Sequence, residues 1–332
     1  MLTILFFVFI SALSLIFTYK ISKNFNLYDL PNKLKIHENK IPNIAGLGLM
    51  PIAISIILIN ELNSKIIITF VLFIIVILIG IIDDIKNIKP QLKILFLLIP
   101  ILVFTHTVYE VSSLGDYKGV VINLGSLSFL FTVLCLLLLT NSFNYIDGID
   151  GLLSLNLIIT FSYFIFINYE MVILVLPIIC FLIIYTFFNI NFLKLFPKQF
   201  LGDSGSLALG FLVSTFLIIL TQGESNIHPA VIIWPVAFVV YEFLTINILR
   251  IKLKQNIFKR DLNFIFNILN EKYNLKISLL LCNFLHLIFC IIGLIVYKNN
   301  LHFLSIVLFT TFFIIYCYLR LKLFVQSKNI KN

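Results

Sequence analysis

Apolar residues run through this chain in long stretches, and charged residues fall almost entirely in the gaps between them. Runs able to cross a bilayer fall at about 2–19, 44–60, 66–82, 92–109, 126–141, 152–167, 171–188, 205–221, 230–249, 277–297 and 301–319. The pattern predicts an all-α bundle of about eleven transmembrane helices. Only Asn168, Tyr169 and Glu170 separate the runs near 152–167 and 171–188, so that pair is either a tight helical hairpin or a miscounted span.

Composition supports lipid as the solvent. The 332 residues are 61% hydrophobic and 12% charged, so a soluble fold would present an apolar exterior to water. No linker, charge block or internal repeat divides the chain, and one integral-membrane domain over 1–332 is expected. The first run, Leu2 to Thr18, has neither a basic leader nor a small-residue cleavage site and reads as a retained span. The five cysteines lie in apolar runs without CxxC spacing, as small core hydrophobes rather than metal ligands or disulfides.

Charge sets the orientation. With the N-terminus outside, 21 of the 24 Lys and Arg residues fall on the inner side, leaving Lys65, Lys118 and Lys298 outside. The expected protein lies in the inner (plasma) membrane, N-terminus out and C-terminus cytoplasmic. Its net charge of +9 calls for membrane lipid and a phosphorylated substrate, not nucleic acid.

Four polar motifs fall on that same inner side. The first is Asp83-Asp84, ending the third run. Helix neighbours point about 100° apart, so one carboxylate is expected to address substrate or metal and the other a lysine or the helix itself. Two solvated acids would look the same. The second runs from Asn141 to Leu152, with Asn141, Asn144, Asp147 and Asp150 at every third position and Gly148 and Gly151 free to re-aim the last two. This is a denser polar set than a turn requires. The third, Phe200 to Ser206, opens a helix with Gly202, Asp203 and Gly205; it offers backbone N–H groups to a phosphate and Asp203 to a metal, beyond simple capping. The fourth, Asp29 to His37, sets Lys33, Lys35 and His37 beside a Pro-Asn turn, which suits an anionic headgroup or merely a solvated basic loop.

Together these motifs resemble the MraY/WecA-like polyprenyl-phosphate N-acetylhexosamine-1-phosphate transferases of glycosyltransferase family 4. The likeness covers about residues 25–270. Family patterns D-x-P-N-x-R-K-x-H, D-D, N-x-x-N-x-x-D-G-x-D-G-L and F-x-G-D-x-G-S have counterparts here in order, the first with Leu34 at its Arg position. The resemblance implies transfer of a sugar-1-phosphate from a UDP-sugar to polyprenyl phosphate, with release of UMP. It implies Mg²⁺, with Mn²⁺ as an alternative. A homodimer is a further expectation, which the resemblance does not decide. Asp83, Asp84, Asp147 and Asp150 become the catalytic set, Asp203 and Asp84 the metal ligands. Asn141, Asn144, Lys33, Lys35, His37, Lys259 and Arg260 become substrate contacts, with Asn189 or Asn191 the match for a family asparagine.

Two features depart from the family. Its histidine-rich loop appears here as Asp261 to Asn267, with Phe264, Phe266 and Asn267 at histidine positions. Those side chains are expected to close over the sugar and favour a less hydroxylated one, with Lys254, Lys259 and Arg260 as diphosphate contacts. The spacing from Asn189 to Pro197 is also stretched. A Mg-dependent membrane prenyltransferase and an inactive homologue are the alternatives. A transporter would place its ionisable groups at midspan.

Overall fold

The computed structural model describes residues 2–31, 38–191, 194, 196–256 and 262–331. Its helices are α1 (Leu2–Asn24), α2 (Leu49–Ile59), α3 (Ser64–Lys86), α4 (Pro90–Thr107), α5 (Ser128–Ile146), α6 (Leu152–Ile167), α7 (Val172–Ile190), α8 (Gly202–Gln222), α9 (Pro229–Ile232), α10 (Ala237–Lys252), α11 (Ile265–Lys272), α12 (Leu275–Asn299) and α13 (His302–Lys331). Among the described residues nine helical segments are long and apolar enough to cross a membrane, and Ala45–Ile59 and Leu152–Ile167 are shorter apolar helices. These eleven segments correspond to the eleven predicted runs. The chain is a polytopic helical membrane protein. All five cysteines are free.

Two small hairpins complete the secondary structure: β1 (Tyr28–Asp29) with β2 (Ile41–Pro42), and β3 (Ser113–Tyr117) with β4 (Val120–Asn123). β1 and β2 are antiparallel, Tyr28 opposite Pro42 and Asp29 opposite Ile41. The chain divides into two compact units, Met1–Ser113 with Asn123–Ile227, and Leu114–Ile122 with His228–Asn332.

In the first unit α8 is the axis, packed against α3 and α5. Nearly all of it is buried, including Ser204, Ser206, Ser214 and Thr215. The hydroxyls of Ser214 and Thr215 donate to carbonyls three residues back, so the helix satisfies its own polar groups in an apolar setting. α3 begins with Asn63, whose side chain accepts the Ile66 N–H at 2.9 Å, and ends at Asn87 in the left-handed region. Its close approach to α8 depends on Gly80: a Cβ there would lie 2.3 Å from the Ser204 Cα.

The second unit is built around Trp234 and Glu242. The Trp234 indole N–H donates to Ser305 Oγ at 2.8 Å, which donates to the Ala230 carbonyl at 2.6 Å. Buried Glu242 accepts from the Tyr316 hydroxyl and the Ile265 N–H, each at 2.6 Å, and pairs with buried Arg320 at 3.3 Å. The Arg320 guanidinium also donates to the Asn263 carbonyl, so the segment leading into α11 is fixed at its exit. Phe264, Phe266 and Asn267 are buried here, and the two rings stack at 5.2 Å. This corrects the expectation that they line a sugar pocket: packing inside the C-terminal unit claims them.

The Gly80 contact generates a prediction. Gly80→Ala must push backbone apart, at a cost of about 1–3 kcal/mol. Thermal melting in detergent should show a clear fall. Melting equal to the wild type would mean the α3–α8 contact is looser than described.

Candidate active site

Polar side chains from three of the four motifs meet at one end of the first unit, where α3, α5 and α8 begin or end. Asp84 sets the geometry. Its Oδ1 accepts the Asp203 N–H at 2.8 Å and its Oδ2 the Ser204 N–H at 3.0 Å. The Asn43 amide donates to Oδ1 at 3.2 Å. Helix α8 is therefore capped by a carboxylate from α3, and Asp203 caps nothing. The chain enters α8 through Gly202 at φ +75°, where a Cβ would lie 2.4 Å from the Asn43 carbonyl oxygen. Two expectations change. The amides of Asp203 and Ser204 are committed to Asp84 rather than presented to a phosphate. Both Asp84 oxygens are engaged by Asn43 and these amides, so its position fits holding the Gly202–Ser204 turn better than ligating a metal.

Asp83 has the other task. Its Oδ1 accepts the Ile88 N–H at 2.9 Å, closing the turn after α3. Its Oδ2 meets the Lys93 ammonium at 2.7 Å. The same ammonium contacts Asp203 Oδ2. Asp203 Oδ1 accepts from the Asn144 amide at 3.0 Å, and Asn144 also donates to Ser206 Oγ at 2.8 Å. Asp83 and Asp203 thus each turn one oxygen toward a single cation, and each has the other oxygen anchored by a neighbour.

The predicted row of four side chains is split by the end of α5. Asn141 donates to the Leu137 carbonyl at 2.7 Å, within its own helix. Asn144 reaches Asp203. Asp147 ends the helix, and Asp150 lies in the following turn, paired with Lys198. Gly151 at φ +81° starts α6, and its N–H donates to Asn189 Oδ1 at 2.6 Å. Asn189 is buried and also donates to the Gln199 carbonyl at 3.0 Å. It pins two loops together and does not face an open surface. Asn191 ends α7 in the left-handed region. Lys33, Lys35, His37, Lys259 and Arg260 lie outside the described residues.

Sequence reading missed Lys93 and Lys198, which had counted only as inner-side charge. Their spacing from the acids in sequence gives no sign of the pairing. Lys198 also sits over the Phe200 ring at 5.4 Å. It borders an open groove of about 630 Å³ lined by Tyr19, Tyr28, Lys40, Pro42 and Pro197.

Asp147 is exposed, yet it stands in a mouth crowded with protein atoms and carboxylates, and that crowding governs its charge. Lost hydration and the negative Asp203 and Asp150 push its carboxyl up to about 7.

Comparison with known proteins bears on this same region. Residues 66–221 match the family model described as glycosyl transferase family 4. The chain is related to glycosyl transferase family 4. The matched segment runs from α3 through α8 and so holds Asp83, Asp84, Lys93, Asn144, Asp147, Asp150, Lys198 and Asp203. The undecaprenyl-phosphate alpha-N-acetylglucosaminyl 1-phosphate transferase of Yersinia pestis is 25% identical over 271 residues, covering 79% of this chain and 74% of that protein. Its namesake from Escherichia coli K12 is 27% identical, over 76% of this chain and 71% of the relative. That of Thermotoga maritima is 26% identical over 90% of this chain and 91% of the relative.

A pH prediction follows from Asp147. A carboxyl whose proton is held more tightly in the folded than in the unfolded chain favours folding at low pH, and this contribution is lost as pH rises through about 7. Asp147→Asn mimics the neutral form throughout. The variant should melt above the wild type at about pH 8, with the gap closing towards about pH 4. A gap that is absent or widens on acidification would contradict the assigned shift.

Proposed function

We propose that this protein transfers a sugar-1-phosphate from a UDP-sugar to undecaprenyl or another polyprenyl phosphate, releasing UMP. The convergence of Asp83, Asp203, Asn144 and Lys93 inside the family-matched segment carries this reading. The relatives' names supply the lipid acceptor and the N-acetylglucosaminyl phosphate group.

Both reactants are anions, so the barrier is largely charge repulsion. Among the described residues no three His, Cys, Asp or Glu side chains form a metal cluster. Two carboxylate oxygens directed at one cation nevertheless suit Mg²⁺, which takes one or two carboxylates and completes its shell with water and phosphate oxygens. Asp203 and Asp83 would hold it. Once bound, the metal would neutralise the diphosphate and polarise the leaving phosphate.

The protein's own groups then orient the substrates. Asn144 fixes the Asp203 carboxylate, and Asp84 fixes the turn that carries it. Lys198, at the border of the groove, supplies a cation for an incoming phosphate. Asp147 lies open at the same mouth. The lipid phosphate, with a second pKa of about 6, is already mostly dianionic near neutrality, and attack needs no dedicated base.

The same reading places this mouth on the cytoplasmic face of the plasma membrane, N-terminus outside and C-terminus inside. The Lys and Arg distribution supports that topology, and a cytosolic nucleotide sugar requires it. A reporter fused after Asn332 should be active only in its cytoplasmic form; activity confined to an outside-reporting fusion would overturn the orientation.

Metal dependence provides the chemical test. UMP release from UDP-N-acetylglucosamine and polyprenyl phosphate should stop with EDTA and return with Mg²⁺ or Mn²⁺. Asp203→Asn should lower it by roughly a hundredfold or more while leaving the protein inserted and folded. Turnover that persists under chelation would point to a different reaction class.

A further inference from the structure

Lys93 belongs to none of the four motifs, yet it is the group on which the two key carboxylates converge. α4 opens at Pro90, and Lys93 lies in its first turn. Its stem reaches across to α3 and α8, where the ammonium touches Asp83 Oδ2 at 2.7 Å and is in direct contact with Asp203 Oδ2. Only 12% of the side chain is exposed. The remaining carboxylate oxygens are occupied by the Ile88 N–H and the Asn144 amide. A cation at this point can therefore be exchanged without dismantling the surrounding hydrogen bonds.

Burying two carboxylates at a membrane boundary without a cation would be costly, because each would repel the other in a medium poor in water. The ammonium removes that cost in the resting protein. A divalent cation coordinated by the same two oxygens cannot coexist with it there, because like charges a few ångströms apart repel strongly at low dielectric.

We propose that Lys93 is a tethered surrogate cation. It neutralises Asp83 and Asp203 until a divalent metal displaces it from both, and the released ammonium then pairs with the phosphate oxygens of the arriving substrate. The exchange rests on the metal-dependent reading above and deepens it. It makes Lys93 a positioning residue that couples two binding events. Metal binding alone strands an ammonium without a partner. Metal together with a phosphate ligand gives every charge a counter-charge. Binding of the two should be mutually reinforcing, and reciprocally so.

The test uses the full chain in detergent, with Mg²⁺ and UMP as probes. Mg²⁺ binding is followed by thermal melting and Lys93 exposure by mass-spectrometric mapping of amine acetylation. In the wild type, Mg²⁺ should raise acetylation at Lys93, and added UMP should both suppress it again and lower the Mg²⁺ concentration needed for half-saturation. Lys93→Met should melt lower than the wild type in EDTA and recover with Mg²⁺. Its half-saturating Mg²⁺ should fall about tenfold, the factor expected if the ammonium holds the position about nine-tenths of the time. UMP should no longer sharpen its Mg²⁺ response. Lys93→Arg, which keeps a cation, should retain the metal-free melting temperature.

If wild-type protein binds no divalent ion, the metal-dependent reading itself fails. If it binds Mg²⁺ but Lys93 acetylation stays constant or falls, the exchange is wrong and that reading stands. Because the acetylation measurement needs no variant, it decides the matter even where Lys93→Met does not fold.

Discussion

The Asp84 carboxylate, holding the backbone N–H groups of Asp203 and Ser204, is the interaction on which the rest of the mouth depends. A helix N-terminus inside an apolar bundle leaves N–H groups that water cannot reach, and they carry the positive end of the helix dipole. A carboxylate from α3 answers both needs at once. It also fixes α8 in register against α3, and Gly80 lets the two backbones come close enough for the bonds to form. With that register set, Asp203 is delivered to Asn144 and Lys93. The adjacent acids of α3 can therefore do different work: Asp84 turns to the helix end, and Asp83 turns to the cation.

Much of this was legible in the sequence. Apolar run length located the eleven apolar helical segments of the described residues, and the three-residue recurrence from Asn141 to Asp150 picked out Asn144, which reaches Asp203, while Asn141 bonds within its own helix. That Asp83 and Asp84 take different partners followed from the angle between helix neighbours, but one holds Lys93 and the other the start of α8, so neither meets the substrate or metal expected for one of them. The assignments that changed depend on long-range contacts. Asn189 reads as a polar residue at a helix end, and only the fold shows it bonded to Gly151 and Gln199. Lys93 and Lys198 looked like ordinary inner-side charge because the pattern that places lysines there is the same whether they face lipid headgroups or acids. Gly202 and Asp203 suggested an open helix N-terminus, since a cap arriving from another helix leaves no local signature.

Charge balance explains why the mouth calls for further cations. Asp83, Asp84, Asp147, Asp150 and Asp203 lie within it or support it; among the described residues Lys93 pairs with Asp83 and Asp203, and Lys198 with Asp150. With every acid ionised, negative charge exceeds positive among these described side chains. The amides bonded to Asp84 offset part of that excess through their dipoles, and the raised proton affinity of Asp147 reflects lost hydration first and then the charges of Asp203 and Asp150. A site meant to bring two anionic phosphates together would be self-defeating if it stayed negative. Under the proposed metal-dependent reaction a divalent cation would correct that deficit, and the lysines would offer anions a partner in place of carboxylates.

The C-terminal unit bears on sugar recognition by elimination. A histidine side chain can donate, accept and carry charge, whereas Phe264 and Phe266 can do none of these. They stack on each other and are buried, beside a segment held by the Glu242–Arg320 pair. The pair is itself buried, and removing either partner would leave an uncompensated charge. Such a cluster favours one fixed arrangement of the entry to α11 over a loop that reshapes itself around a ligand. Aromatic packing there stabilises the unit and reads no hydroxyl pattern. If the proposed reaction holds, discrimination among sugars would fall to other polar groups, and among the described residues the ends of α3, α5 and α8 are where acids and lysines converge.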